Sequence, residues 1–274
     1  MRAFVTGADG FVGQWLLHKL LADGSRVTGM IRAARPALTT LTPDLAARVD
    51  WRHCELSDAA GMLKLLREAK PSAVFHLAAQ SSVPASIEDP RTTLETNVLG
   101  TARLLEAVRD AALDATVVVA GSADAYGAVT EDQLPLREST PLRPRNPYAA
   151  SKAAAELVAL QYSLSGWARV IVTRSFNHTG PGQSSAFAAA AFAKQIAAFK
   201  KKGRGGEIRV GNLTPRRDIT DVRDVVDAYV LLAKRGVAGT VYNVCSGRDY
   251  SMREIVDELV GSVGNSLRCR ERLG

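Results

Sequence analysis

The stretch Ala3-Phe4-Val5-Thr6-Gly7-Ala8-Asp9-Gly10-Phe11-Val12-Gly13 leads into Trp15-Leu16-Leu17 and Leu20-Leu21. Its first four residues are apolar or β-branched and predict a strand. The later group has helical spacing and predicts a helix. The glycines therefore fall between a strand and a helix, the context that turns a weak glycine pattern into a dinucleotide fingerprint. Gly7 makes the tight turn, Gly10 lets the backbone approach a pyrophosphate, and Gly13 lets the helix pack closely on the sheet. The start of the helix, at Phe11 and Val12, turns N–H groups and a positive dipole end toward the phosphates.

Working outward, Arg26–Ile31 reads as a second strand, followed by Arg32-Ala33-Ala34-Arg35. NAD-binding folds of this type use an acidic residue there to hold the ribose 2′-OH. Here two guanidinium groups stand instead, which suits a 2′-phosphate through forked, charge-assisted hydrogen bonds. NADP(H) is the expected cofactor, with NAD(H) the alternative if Arg32 and Arg35 are plain surface residues. Strands at 49–54, 73–77, 116–120 and 170–173 alternate with helices at 58–69, 93–108 and 151–165. The near-continuous valine run at 116–120 suits a strand buried on both faces. This succession predicts an α/β fold, a Rossmann-type doubly wound parallel sheet. After about residue 174 the alternation weakens. The expected domains are 1–173, binding the cofactor, and 174–274, a smaller and mainly substrate-binding domain with segments crossing back.

Composition excludes other classes. Hydrophobic residues make up 46% and charged residues 23% of the 274, which excludes global disorder. No apolar run is long enough to span a membrane. The net charge of +7 comes from scattered basic residues, apart from Lys200-Lys201-Lys202 with Arg204. That argues against nucleic acid and for phosphorylated ligands. Three cysteines, Cys54, Cys245 and Cys269, form no CxxC pair, so neither a disulfide framework nor a metal site is expected, and a cytoplasmic location is. The opening stretch reads as a strand, shorter than the apolar stretch of a secretory signal and without its cleavage site, so no such signal is expected.

The glycine spacing is GxxGxxG, which resembles the extended short-chain dehydrogenase/reductases, the nucleotide-sugar epimerases, dehydratases and reductases. Further segments carry the same resemblance. Glu55-Leu56-Ser57-Asp58 is similar to the family's Asp-Leu-x-Asp, so Glu55 and Leu56 are implied at the adenine. His76-Leu77-Ala78-Ala79-Gln80 matches its HxAAQ, implying Leu77, Ala78 and Ala79 along the cofactor and Ser81 just beyond, toward substrate. His76 itself is read as structural. Asn97, in Asn97-Val98-Leu99-Gly100-Thr101, matches an NxxGT helix whose Asn mainly supports the cofactor site.

Tyr148-Ala149-Ala150-Ser151-Lys152 puts Tyr and Lys on one helix face, with Pro147 suited to the helix start. Upstream, the valine run ends in Gly121-Ser122-Ala123-Asp124-Ala125-Tyr126-Gly127, with Ser122 four residues before a Tyr-Gly pair, as the family has it. In the implied chemistry Tyr148 donates a proton to a carbonyl that accepts hydride, and Ser122 holds that oxygen. Lys152 holds the nicotinamide ribose and is expected to lower the Tyr148 pKa toward neutrality.

Arg174-Ser175-Phe176-Asn177-His178-Thr179-Gly180-Pro181-Gly182-Gln183 resembles the RxFNHxGPGQ of GDP-4-keto-6-deoxymannose reductases. Gly211-Asn212-Leu213-Thr214-Pro215-Arg216-Arg217-Asp218 resembles their GNLxxxRD. The implied substrate is a GDP-sugar, met by Asn177, Lys194, Asn212 and Arg217. Plainer roles are a loop cap for Asn177, a surface position for Lys194, and a pair with Asp218 or Asp221 for Arg217. Asp124 stands where dehydratases carry Glu as a base, which keeps GDP-mannose 4,6-dehydration as an alternative. A cofactor-sensing module without turnover is the third reading, against which the retained Tyr and Lys count. Family members pair as homodimers through helices corresponding to 93–108 and 151–165. They also continue well past a point like Val260, and Asn265–Leu267 resembles a segment that lies further on in them.

Overall fold

The computed structural model describes residues 1–201, 206–262 and 267–271. Its strands are β1 (Arg2–Thr6), β2 (Arg26–Ile31), β3 (Val49–His53), β4 (Ala73–His76), β5 (Thr116–Ala120), β6 (Arg169–Ser175), β7 (Asn177–Thr179), β8 (Gly206–Val210), β9 (Arg216–Asp221), β10 (Val241–Val244), β11 (Asp249–Ser251) and β12 (Leu267–Glu271). Its helices are α1 (Phe11–Ala22), α2 (Pro43–Ala46), α3 (Ala59–Ala69), α4 (Val83–Glu88), α5 (Pro90–Leu94), α6 (Gly100–Asp110), α7 (Pro147–Leu164), α8 (Ala188–Lys201), α9 (Val222–Arg235) and α10 (Met252–Gly261).

Seven strands form a parallel sheet in the order β10-β6-β5-β4-β1-β2-β3. The order reverses between β1 and β4, and every strand ends on the same edge. In such sheets that crevice is where ligands bind. Alternate strand residues feed two cores. Val5, Phe75 and Val118 pack with Leu16, Leu17 and Leu20 of α1 and with Val225, Val226, Tyr229 and Val230 of α9. Phe4, Val74, Val117 and Val119 pack with Met62 and Leu66 of α3, Leu104 and Leu105 of α6, and Ala159 and Tyr162 of α7.

The chain divides into two compact units, one of Met1–Phe176 with Arg223–Val244, the other of Asn177–Val222 with Cys245–Gly274. A boundary near 174 is displaced because β6 runs on through Ser175 and pairs Val244 of β10 with it. The expected 93–108 helix begins earlier, at Pro90, and contains a π-helical turn at Glu95–Leu99. The expected 151–165 helix begins at Pro147, capped by Asn146, whose side chain accepts from Ala149 N at 2.8 Å.

The second unit holds a three-stranded sheet, β11-β9-β7, and a two-stranded one, β12-β8. Phe192 and Ile196 of α8 pack against Ile208, Val210, Leu213 and Val256. The basic run at 200–204 reaches beyond Lys201 into residues outside those described, as do Asn265 and Ser266.

Candidate functional site

The carboxyl ends of β1, β2, β4 and β5 carry most of the expected site residues of the first unit. Gly7 leaves β1 with φ +66°, where a side chain is strained, and a Cβ there would stand 2.9 Å from Ala78 Cα. A Cβ on Gly13 would stand 2.3 Å from the Gly7 carbonyl oxygen, so α1 starts directly on the turn. Gly13 thus packs against the fingerprint itself. Gly10 caps α1 without a side chain, while Thr42, Asp58, Ser82, Asp89, Asn146 and Ser251 cap their helices with one. A bare helix start beside an open glycine is what a bound pyrophosphate requires, so the residues present fit a dinucleotide. Phe11 and Val12 are half-buried in this first turn, and Arg32 and Arg35 are exposed just past β2. Glu55 is exposed after β3, with Leu56 half-buried beside it.

Leu77, Ala78 and Ala79 are half-buried after β4, and Ser81 is exposed. The segment is fixed from beneath. Ala78 N donates to Thr6 Oγ1 at 3.1 Å, and Thr6 Oγ1 contacts His76 Nδ1 at 2.8 Å. His76 Nε2 lies 3.0 Å from Thr101 Oγ1, whose own proton goes to the Asn97 carbonyl at 2.6 Å. Nε2 is therefore the donating nitrogen, and Nδ1 accepts from Thr6. Burial, with the nearby Lys152 charge, pushes the His76 pKa down to about 3. The imidazole is neutral and structural.

Asn97 sits in the π-turn, a conformation frequent at functional positions. Its amide donates to Gln80 O and Ser151 Oγ, both at 2.9 Å, and accepts from Gln80 N at 2.8 Å. Ser151 in turn donates to Tyr148 O at 2.7 Å, and Tyr148 N donates to Ser86 Oγ at 3.1 Å. Asn97 is only 2% exposed, so it links the β4 loop to α7. Thr6, Ser86, Thr101 and Ser151 did not emerge from the sequence. Their partners lie 70, 62, 25 and 54 residues away.

Ser122 follows β5 and caps a short 3-10 turn at Ala123–Tyr126, accepting from Asp124 N at 3.2 Å. Tyr148 and Lys152 stand one turn apart on α7, both half-buried. Lys152 is not among the groups that shift the Tyr148 pKa in this structure. Burial pushes Tyr148 up to about 12, opposed by a hydrogen bond with Ser122 and reinforced by Asp124 and Tyr229. Lys152 points its ammonium at the Ala120 carbonyl, 2.6 Å away, and burial pushes it down to about 8. Tyr148 therefore keeps its proton at neutral pH, the state a proton donor needs. Asp124 is exposed.

A buried ion pair backs this end of the sheet. Arg174 donates to Glu156 through Nε at 2.9 Å and Nη2 at 2.6 Å, and through Nη1 to Tyr126 OH and Glu138 O, both at 2.9 Å. Tyr126 OH donates to Asn243 Oδ1 at 2.7 Å. One guanidinium thus joins α7, which carries Tyr148 and Lys152, to the turn that follows Ser122.

In the second unit, Asn177, Lys194, Asn212 and Arg217 are all exposed. Asn212 Oδ1 accepts from Thr214 N at 2.9 Å. Arg217 donates to Arg216 O at 2.7 Å. Asp218 holds Ser246 N and Gly247 N, at 2.9 and 2.7 Å, so it serves the turn into β11. Among the described residues, no group of acidic, histidine and cysteine side chains could hold a metal ion, and no helix is long and apolar enough to cross a membrane.

A doubly wound parallel sheet, a GxxGxxG turn into α1 and a Ser-Tyr-Lys set on β5 and α7 define an extended short-chain dehydrogenase/reductase. The chain belongs to the GDP-mannose 4,6 dehydratase family, whose model matches residues 4–273. It is 41% identical to GDP-6-deoxy-D-mannose reductase of Pseudomonas aeruginosa, covering 94% of this chain and 79% of that one. It is 35% identical to UDP-glucose 4-epimerase of Mycolicibacterium smegmatis, covering 96% and 83%. Among solved structures it resembles that of RMD from Pseudomonas aeruginosa complexed with NADPH. The TM-score is 0.84 and the identity 36%, covering 100% of this chain and 87% of that one.

Proposed function

We propose that this protein is an NADPH-dependent reductase that converts GDP-4-keto-6-deoxy-D-mannose to GDP-D-rhamnose. The observation that carries the reading is the likeness to the Pseudomonas reductase over almost the whole chain. The bare fingerprint turn and the guanidinium groups after β2 support the choice of cofactor. When bound, the cofactor supplies a hydride to the sugar's C4 carbonyl carbon. Tyr148, protonated at neutral pH, gives its hydroxyl proton to the carbonyl oxygen, and Ser122 orients that oxygen. Lys152 holds the nicotinamide ribose and returns charge balance to the phenolate.

The first unit is then the cofactor domain and the second the main substrate domain. The proposed substrate residues are Ser81 and Asp124 of the first unit and Asn177, Lys194, Asn212 and Arg217 of the second. Asn97 acts by positioning. A homodimer and a cytoplasmic location complete the proposal. Leu157 and Leu164 of α7 and Leu94 of α5 support the dimer, as large apolar side chains exposed on the helices expected to pair.

Purified protein is given GDP-4-keto-6-deoxymannose and NADPH, and separately GDP-mannose with no added NADPH. The reading requires NADPH oxidation matched one to one by GDP-6-deoxymannose in the first mixture. A 4-keto sugar accumulating in the second would replace it with dehydration.

A further inference from the structure

Gln14 lies on α1 directly after the fingerprint, and it is 1% exposed. Its amide makes seven hydrogen bonds, all to two loops. Nε2 donates to Asp9 O in the fingerprint at 2.8 Å, to Ala37 O at 3.2 Å and to Thr39 Oγ1 at 3.2 Å. Oε1 accepts from the backbone N–H of Thr39, Thr40 and Leu41 at 2.8, 2.9 and 3.2 Å, and from Thr40 Oγ1 at 3.4 Å. A carboxamide has two N–H donors and two lone pairs, so this one is saturated, with shared bonds on both sides. His18, one turn along α1, contacts Thr40 O at 3.1 Å. The Asp9 carboxylate accepts from Ala37 N at 3.5 Å.

These contacts close a short span. Ile31 is fixed as the last residue of β2, and Ala37 is fixed on Asp9 and Gln14. Only 32–36 runs between them, and both exposed guanidinium groups, Arg32 and Arg35, are on it. The same amide holds the phosphate turn through Asp9.

We propose that Gln14 is a positioning residue for cofactor selectivity: by clamping the loop after β2 to the fingerprint turn, it holds Arg32 and Arg35 where a ribose 2′-phosphate lies. The proposal rests on the NADPH reading above. It goes further in assigning discrimination to a side chain that touches neither cofactor nor substrate. A residue that only satisfied loop backbone would affect both cofactors alike. A residue that aims the guanidinium groups affects the one bearing the extra phosphate.

The test is the dissociation constant of NADPH and of NADH, by fluorescence titration, for the parent chain, Gln14→Leu, Gln14→Glu and Arg32→Ala. Gln14→Leu is expected to weaken NADPH about tenfold, the order of one charge-assisted hydrogen bond. NADH should weaken clearly less, by the share that the Asp9 bond to the phosphate turn contributes to both cofactors. Gln14→Glu keeps the acceptor for Thr39, Thr40 and Leu41 but loses the donor to Asp9 O, Ala37 O and Thr39 Oγ1. It should lie between parent and Gln14→Leu, and it carries the test if Gln14→Leu does not fold. Equal losses for both cofactors, or no loss, would overturn the proposal while Arg32→Ala still weakened NADPH. A parent without NADPH preference, unaffected by Arg32→Ala, would overturn the cofactor reading and this proposal together.

Discussion

Arg174 offers the sharpest perturbation of the framework. Its guanidinium and the Glu156 carboxylate are 6% and 3% exposed, so solvent screens their interaction little. Burial alone would lower the Arg174 pKa, but the bonds to Glu156 and Tyr126 more than offset it, and the group stays charged. Arg174→Met removes four hydrogen bonds and leaves Glu156 without its cation. Stranding one member of a buried pair costs about 3–5 kcal/mol. At about 2–4 °C per kcal/mol for a chain approaching this size, the midpoint should fall by roughly 6–20 °C. The informative partner is Arg174→Met with Glu156→Leu, which removes both charges and fills similar volume. Such replacements are often neutral or better, so the double variant should recover more than half of the loss. Tyr126 retains its bond to Asn243. Thermal unfolding by circular dichroism and steady-state turnover are measured on all three proteins. The double variant should remain slower than the parent, because α7 and the turn after Ser122 have lost their shared anchor. A double variant no more stable than the single one would refute the reasoning, because the penalty would not come from the stranded carboxylate.

Tyr148→Phe should lower kcat about 10²–10⁴-fold, as for a lost general acid, with NADPH affinity nearly unchanged, and near-parental turnover would exclude the role. His76 is neutral when folded, held down to about 3, and has an ordinary pKa near 6.5 when unfolded. Its contribution to stability is full above about pH 6.5 and is lost as the pH falls toward 3, at up to about 1.4 kcal/mol per unit. Urea midpoints between pH 7 and 5 should therefore fall less steeply for His76→Gln than for the parent, and equal slopes would contradict this. Burial, then the charges of Asp58 and Glu55, push the Cys54 thiol up to about 11. At pH 8 it should resist alkylation until the protein unfolds, and rapid labelling in the folded state would refute that. Leu157→Glu puts a charge on the exposed face of α7 and should give a monomer by light scattering where the parent is expected to be a dimer. A parent already monomeric at micromolar concentration would count against the dimer.

β1, β4, β5 and β6 were legible because a parallel strand buried on both faces leaves a short apolar run between turn residues. The glycine turn was legible for a similar reason, since its backbone demands fall on neighbouring residues. Val222, Val225, Val226, Tyr229 and Val230 have full helical spacing and form the buried face of α9, but they lie past the point where strand–helix alternation fades. Other features had no local signal. Glu156 and Arg174 are 18 residues apart, and nothing in either segment names the other. Gln14 reads as one more polar residue on α1, because its partners lie up to 27 positions away. The Tyr148 pKa depends on burial and on neighbours from two other segments, the turn of Ser122 and Asp124 and α9 with Tyr229. The four-residue spacing to Lys152 conveys none of that.

The placement of β10 bears on how the chain is made. The outer edge of β6 is covered by β10 alone, through pairs from Val241 to Val244. During synthesis β6 emerges first, and nearly seventy residues follow before its partner is complete. At about 5–20 residues per second that leaves a hydrophobic strand edge unpaired for several seconds. An unpaired edge of this kind templates association with other chains. Nascent or shortened chains ending before Val244 would therefore expose a sticky seam in the sheet, and the last strand to join seals the edge that β6 leaves open.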